Sequence, residues 1–366
     1  MKKILMVAWE SLGKGGIQSV LMNIVRGLHS DFVFDVILFT EKIGFYEDEF
    51  KSYGGKIFRL KHYNGENKFL SRADIYFRCS TLYNSVRRIM SENGPYDAIH
   101  CNNGFESGVY IKAAYAESVP IRIVHSHSVI NDSGFLRTIY NNYFGNIIKH
   151  DANQKIACSD IAGRSLFGEE KFRVINNPYD ETMYFYSESG AESGNLSLCQ
   201  VGRLCDIKNQ IFSLNVVAEI KKKGIDIIIR FVGKDYDDYR ARMIEFIREN
   251  DLESNVEFYP EDTDIPALYR KSTYVIFPST TEGFGMVPVE AQAMGIKCFV
   301  SDKVPKETDC GGCVYLSLSD VQVWVDEIIL EYNSKNKKRI PYDCSGFSLK
   351  ELRNQYRYLY LSSINI

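Results

Sequence analysis

The chain lacks several features that would narrow its class. Lys and Arg number 44 against 47 Asp and Glu among 366 residues, a net charge of −3, so no overall basic field argues for a nucleic-acid partner. No stretch approaches the roughly 20 apolar residues that a membrane-spanning helix needs. The start, M-K-K-I-L-M-V-A-W, carries a short apolar run that breaks into Glu10, Gly13 and Lys14 without a small-residue cleavage site. It reads as a first strand rather than a secretory leader, and a cytoplasmic location is expected. Nine cysteines, odd in number and irregular in spacing, do not read as a disulfide framework; most are expected as small buried hydrophobes, Cys199 and Cys298 among them. Cys310-Gly311-Gly312-Cys313 has no second Cys or His pair at zinc spacing and no thioredoxin-like surroundings. A G-x-S-x-G elbow, an H-E-x-x-H helix and internal repeats are absent.

What is present is alternation. Short apolar runs at 4–9, 34–39, 98–101, 121–124 and 156–158, then at 196–201, 227–232, 256–259, 274–277 and 298–300, are separated by helical patterns. Ile17, Val20, Leu21, Ile24, Val25 and Leu28 form one such helical stripe. Strands alternating with helices imply βαβ units and parallel sheets. Ten strands exceed one comfortable sheet, and Asn176-Asn177-Pro178 continues neither a ladder nor a helix, so two Rossmann-like domains are expected. Their boundaries are drawn at 1–176 and 177–346, with a polar linker at 187–195. Paired doubly wound domains place ligands at the carboxyl ends of their strands.

The most informative segment is 277–293, F-P-S-T-T-E-G-F-G-M-V-P-V-E-A-Q-A. Tyr274-Val275-Ile276-Phe277 reads as a buried strand, and Gly283 and Gly285 bare the backbone just beyond it. Pro288 fits the first turn of a helix, whose N–H groups favour a phosphate oxygen. Glu282 in the loop and Glu290, placed in the first helical turn, suit hydroxyls of a sugar and a ribose. Upstream, Gly202-Arg203-Leu204-Cys205-Asp206-Ile207-Lys208-Asn209 offers two cations five residues apart, able to clamp a diphosphate. Near the start, Gly13-Lys14-Gly15-Gly16 forms a glycine-rich turn that suits either anion approach or simply a tight corner. It lacks the P-loop spacing and the G-x-G-x-x-G fingerprint.

These motifs resemble the E-x7-E signature and the G-R-L-x-x-x-K-N pattern of retaining GT-B glycosyltransferases, family 4 most closely. The resemblance implies an α/β fold of two Rossmann-like domains with an interdomain cleft and a C-terminal helix, 347–366, that returns to the first domain. It implies a donor site of Gly15, Gly16, Gly202, Arg203, Lys208, Glu282, Gly283, Phe284, Gly285, Met286, Val287 and Glu290. Catalytic roles fall to Arg203, Lys208, Glu282 and one imidazole. His125 and His127 end the run Ile121-Arg122-Ile123-Val124 on the same face of a strand, so spacing does not choose between them; the resemblance favours His127. His100 is a weaker candidate, for the acceptor.

No cofactor and no metal are implied. The acids of Asp235-Tyr236-Asp237 and Asp262-Thr263-Asp264 read as solvated loop or helix-start groups. The expected reaction moves a hexose from a nucleotide sugar, UDP-linked, to a glycan or polyprenyl-diphosphate-linked glycan in surface polysaccharide synthesis. Aromatic and basic residues interleave at 69–90 (Phe69, Arg72, Tyr76, Phe77, Arg78, Tyr83, Arg87, Arg88) and at 135–149 (Phe135, Arg137, Tyr140, Tyr143, Phe144, Lys149). Such a mixture suits peripheral contact with anionic lipid headgroups. One departure stands out: Tyr259-Pro260-Glu261-Asp262 occupies a loop where relatives more often carry glycine. An epimerase or sugar phosphorylase on the same fold, and a non-catalytic nucleotide-sugar-binding partner of an assembly complex, are the alternative readings.

Overall fold

The computed structural model describes residues 1–8, 11–60, 74–130, 134–188, 195–334 and 339–362, with the backbone alone described at 74–78 and 136. Trp9, Glu10, Phe69, Arg72 and most of the polar linker lie outside the described residues, as do the side chains of Tyr76, Phe77 and Arg78. The chain divides into two compact units, Met1–Pro178 with Leu349–Ile366, and Tyr179–Ser348.

In the first unit, β1 (Lys2–Ala8), β2 (Phe32–Leu38), β3 (Ile57–Arg59), β4 (Ala98–Cys101), β5 (Ile121–Ser126), β6 (Gln154–Ala157) and β7 (Arg173–Val174) form one sheet. Its order is β3-β2-β1-β4-β5-β6-β7, and every pairing is parallel. Its helices are α1 (Gly16–Leu28), α2 (Glu47–Ser52), α3 (Asp74–Asn93), α4 (Ser107–Ala116), α5 (Phe135–Asp151) and α6 (Asp160–Phe167). In the second unit, β8 (Leu196–Val201), β9 (Ile227–Val232), β10 (Val256–Tyr259), β11 (Tyr274–Phe277), β12 (Cys298–Ser301) and β13 (Cys313–Leu316) run in the order β10-β9-β8-β11-β12-β13. These alternate with α7 (Gln210–Lys222), α8 (Tyr239–Glu249), α9 (Ile265–Arg270), α10 (Met286–Ala293) and α11 (Val321–Asn333). Both units are therefore doubly wound Rossmann-like domains.

The buried central strands are continuous apolar runs because both faces are covered. In the second unit Leu198, Ile276 and Phe299 pack with Phe212, Leu214 and Trp324 on one face. Their neighbours Cys199, Val275, Phe277, Cys298 and Val300 pack with Leu268, Tyr269, Ala291 and Met294 on the other. Strands β3, β7 and β13 are absent from the sequence reading. Each lies at a sheet edge and is half-covered or exposed along most of its length, so none displays the unbroken apolar run that marks a central strand.

The last helix, α12 (Leu349–Leu361), belongs to the first unit. Gly27 on α1 admits it: a Cβ there would sit 2.9 Å from Leu349 Cδ1. Its apolar face carries the buried Leu352, Tyr356, Leu359 and Tyr360, and Tyr360 meets the rings of Phe32 and Phe34 at 5.4 and 5.9 Å. Arg353 and Arg357 close the outer side on Asp31 at 3.1 and 3.2 Å.

Candidate active site

In an open parallel sheet the strand order reverses at one point, and loops leaving the two strands there diverge and open a crevice. In the second unit that point lies between β8 and β11. The loop after β8 carries Gly202, Arg203 and Lys208, and the loop after β11 carries Glu282. A backbone bond from Thr280 N to Ile207 O, 2.9 Å, ties the loops together. The Lys208 ammonium pairs with the Glu282 carboxylate and stands 4.7 Å from the centre of the Phe277 ring. Both side chains are largely covered, at 17% and 12% exposed, so the pair has more electrostatic weight than a surface ion pair.

Two buried glutamines shape the cation loop. Gln200 donates to Lys208 O at 2.6 Å while accepting from Ser213 Oγ at 2.7 Å, and Gln210 donates to Arg203 O at 2.8 Å. Gly202 adopts a positive φ of 146°, and the Lys208 stem lies 3.4 to 3.5 Å from where its Cβ would stand. Arg203 is placed differently. It is exposed, its guanidinium lies over the Tyr236 ring at 5.8 Å, and it makes no hydrogen bond with Glu282 or Glu290. The structure brings Lys208 and Glu282 together and leaves Arg203 at the rim.

Gly285, at φ 99°, caps α10 without a side-chain bond. Its Cβ would stand 3.3 Å from Val304. The N–H groups of Gly285, Met286 and Val287 have no acceptor within the helix, because the first turn never supplies one; this is the geometry that receives an anion. One expectation needs correction here. Glu290 is the fifth residue of α10 and so sits in its second turn, because the helix starts at Met286 and Pro288 is its third residue. The Phe284 side chain is buried against Phe347, ring centres 5.6 Å apart.

Burial pushes the Glu290 carboxyl up to about 8, against the hydrogen bond from Tyr184. The folded chain therefore holds this proton where an unfolded carboxyl, near 4.5, has lost it. Protons bound in excess by the native state mean that stability falls as pH rises from about 4.5 to about 8. Glu290→Gln is expected to flatten that fall, leaving the variant's melting temperature above the wild type's on the alkaline side and not on the acid side. A pH series of thermal melts checks it.

In the first unit the sheet reverses between β1 and β4. Gly15 caps α1, whose first turn contains no acid, and Gly15 and Gly16 are exposed. A Cβ on Gly15 would collide with the Gln18 side chain, whereas one on Gly16 meets nothing within 4 Å. A chain of histidines runs from His100 in β4 through His125 in β5 to His127 just past it. His125 and His127 face each other with ring centres 3.8 Å apart. His100 Nε2 lies 3.2 Å from His125 Nδ1, and His100 Nδ1 lies 2.7 Å from the Tyr360 hydroxyl on α12. Burial holds all three rings neutral: it lowers His127 to about 4 and His100 to about 3, and carries His125 well below the ordinary range. His127 Nε2 meets Asn102 Oδ1 at 2.8 Å.

Sequence reasoning missed Tyr184, Gln200, Gln210 and Asn102, the polar partners that hold the nominated residues. Gln200, a polar residue inside an apolar strand run, was the one visible signal. The cysteines also need correction: Cys310 is disulfide-bonded to Cys344, 34 residues on, with Cα atoms 5.4 Å apart, while Cys313 stays free. Asp264 caps α9 by accepting from Ala267 N at 3.0 Å, and Asp235 accepts from Arg240 N at 3.0 Å. No helix among the described residues is long and apolar enough to cross a membrane.

Two Rossmann-like domains of parallel strands, the first completed by the C-terminal helix, give this chain the GT-B fold, and its relatives support a glycosyltransferase of that type. Residues 186–309 match the family model described as glycosyl transferases group 1. Over 350 residues the chain is 29% identical to EpsF, a putative glycosyltransferase of Bacillus subtilis strain 168, covering 89% of this chain and 87% of that one. It is 26% identical over 291 residues to CapH, a capsular polysaccharide biosynthesis glycosyltransferase of Staphylococcus aureus, covering 77% of each. The crystal structure of HepE from Anabaena, solved with UDP and glucose, matches with a TM-score of 0.78 at 19% identity over 98% of both chains.

Proposed function

We propose that the protein is a retaining glycosyltransferase that moves a hexose from a UDP-linked donor to a glycan or polyprenyl-diphosphate-linked glycan in surface polysaccharide synthesis. The Lys208–Glu282 pair beside the uncapped start of α10 carries this reading. A nucleoside diphosphate gathers negative charge on its bridging oxygen as the glycosidic bond breaks, so donors that grip it harder at that moment lower the barrier. Lys208 and the α10 amides are such donors. Arg203, at the rim on a rotatable stem, adds bidentate capacity when a phosphate arrives. Glu282 accepts from sugar hydroxyls and Glu290 from the ribose. The acceptor oxygen attacks the face that the diphosphate leaves, the carbon–oxygen bond electrons pass to the diphosphate, and the acceptor proton goes to the departing phosphate oxygen. A relative named for capsular polysaccharide biosynthesis, and a structural neighbour holding UDP and glucose, support the pathway and the donor.

Release of UDP from a panel of UDP-, GDP- and ADP-sugars, with the product anomer read by NMR, tests the reading. UDP release with an axial bond conserved supports it; inverted product or no nucleotide release from any donor overturns it. The reaction is expected to need no resident metal, because Lys208 and the α10 amides offer positive charge to the departing diphosphate. Turnover in excess EDTA is expected to equal that in magnesium.

Peripheral membrane contact is part of the same proposal. Phe135, Ile139 and Tyr143, each four residues from the next along α5, are 80%, 45% and 51% exposed, on a helix that also carries Arg137 and Lys149. An exposed apolar stripe on a helix that bears cations suits an interfacial helix. Wild-type protein is expected to sediment with anionic liposomes and to lose at least half of that binding as the double variant Phe135→Ser, Ile139→Ser, or in high salt.

A further inference from the structure

The amides on the two sides of His127 are oriented by their surroundings, and they decide which nitrogen of the ring carries its proton. Asn102 Nδ2 donates to Val7 O at 3.1 Å and to His100 O at 3.4 Å. Exchanging its oxygen and nitrogen would set Oδ1 against two carbonyl oxygens, so Oδ1 must face His127 Nε2. An amide oxygen only accepts, and the 2.8 Å contact therefore requires the proton on Nε2. Nδ1 is then a bare lone pair. It is buried, and the side chain interacting with the remaining side of the ring is Asn177. Nδ1 and Asn177 Oδ1 both lack a partner, and exchanging the oxygen and nitrogen of the Asn177 amide would offer an Nδ2–H to Nδ1. The other groups against this ring are neutral: His125 lies tilted against it, and His100 and Tyr360 continue the chain behind.

We propose that Asn102 and Asn177 are positioning residues that clamp His127 as the neutral Nε2–H tautomer, so that the ring fixes the start of the loop after β5 without carrying protons. A ring with both nitrogens engaged by amides can neither give nor take a proton without breaking the clamp. The part of this inference that concerns turnover rests on the glycosyltransferase reading; the part that concerns the tautomer does not.

The test is long-range proton–nitrogen NMR of selectively labelled full-length protein. Wild type is expected to show His127 with a pyrrole-like Nε2 and a pyridine-like Nδ1. Asn102→Ala should mix the tautomers. Asn177→Asp, which places an obligate acceptor at Nδ1, should make both nitrogens pyrrole-like at neutral pH, a change that mere loosening of the fold would not produce. A wild-type Nδ1–H ring, or an Asn177→Asp ring still neutral at Nδ1, overturns the clamp. In the glycosyl-transfer assay Asn102→Ala is expected to lower kcat about 10–100-fold, the range for losing an orienting partner, with the donor KM nearly unchanged. If the tautomers mix while kcat holds, the clamp stands and the role given to His127 in transfer falls.

Discussion

Lys208→Ala is expected to lower kcat by about 100–1000-fold, the usual loss when one donor aimed at developing negative charge is removed. The ammonium is mostly covered, set by the Gln200 bond to its own carbonyl, and paired with Glu282. Removing it therefore takes away a fixed charge rather than a mobile surface one, and leaves Glu282 without its counter-charge beside any incoming diphosphate. Glu282→Ala is expected to cost a similar factor, and the double variant little more than either single one, since both lose the same unit. Steady-state kinetics on the four proteins, with circular dichroism to show that each is folded, gives the coupling. If the two losses multiply, the residues act apart and the paired arrangement has no part in turnover.

Gly233→Ala is expected to destabilise the fold by about 3 kcal/mol or more, at the upper end of overpacking costs. Gly233 follows β9 at φ 155°, and a Cβ there would run into the carbonyl group of Gly202, with Arg203 N at 3.2 Å. Gly202 N in turn donates to Val232 O at 2.9 Å. The two loop starts are thus in backbone contact, and side-chain volume at one must move the other. Because the Lys208 stem rests on Gly202, that displacement reaches the site, and residual folded protein should turn over slowly as well. Gly16→Ala, into open space, is the control and should change stability by less than about 0.5 kcal/mol. Urea midpoints for the two variants against wild type decide the comparison.

Legibility in the sequence followed burial. The runs at 98–101, 196–201, 227–232, 256–259 and 274–277 coincide with β4, β8, β9, β10 and β11, and four of the five lie inside their sheets rather than at an edge. Of the edge strands, β10 was read and the half-wet β3, β7 and β13, with mixed sequences, were not. The α10 start was misread for a local reason. Proline is equally compatible with any first-turn position that lacks an intrahelical bond, so Pro288 marked the turn without fixing its first residue. The Cys310–Cys344 link joins segments 34 residues apart, and nothing in their local composition announces it. The candidate site was legible where charge and glycine share a loop, as at Lys208 and Glu282. It was not legible where a neutral amide or phenol holds a nominated residue from another element, as Asn102 does for His127 and Tyr184 for Glu290. Such partners resemble ordinary turn or core residues until the chain is folded.

A crystal structure of the protein with UDP tests the central claim most directly. The pyrophosphate is expected within hydrogen-bonding distance of Lys208 Nζ and of the Met286 and Val287 amides, with the ribose hydroxyls on Glu290. UDP seated away from the start of α10, with the Lys208–Glu282 pair untouched, would contradict it.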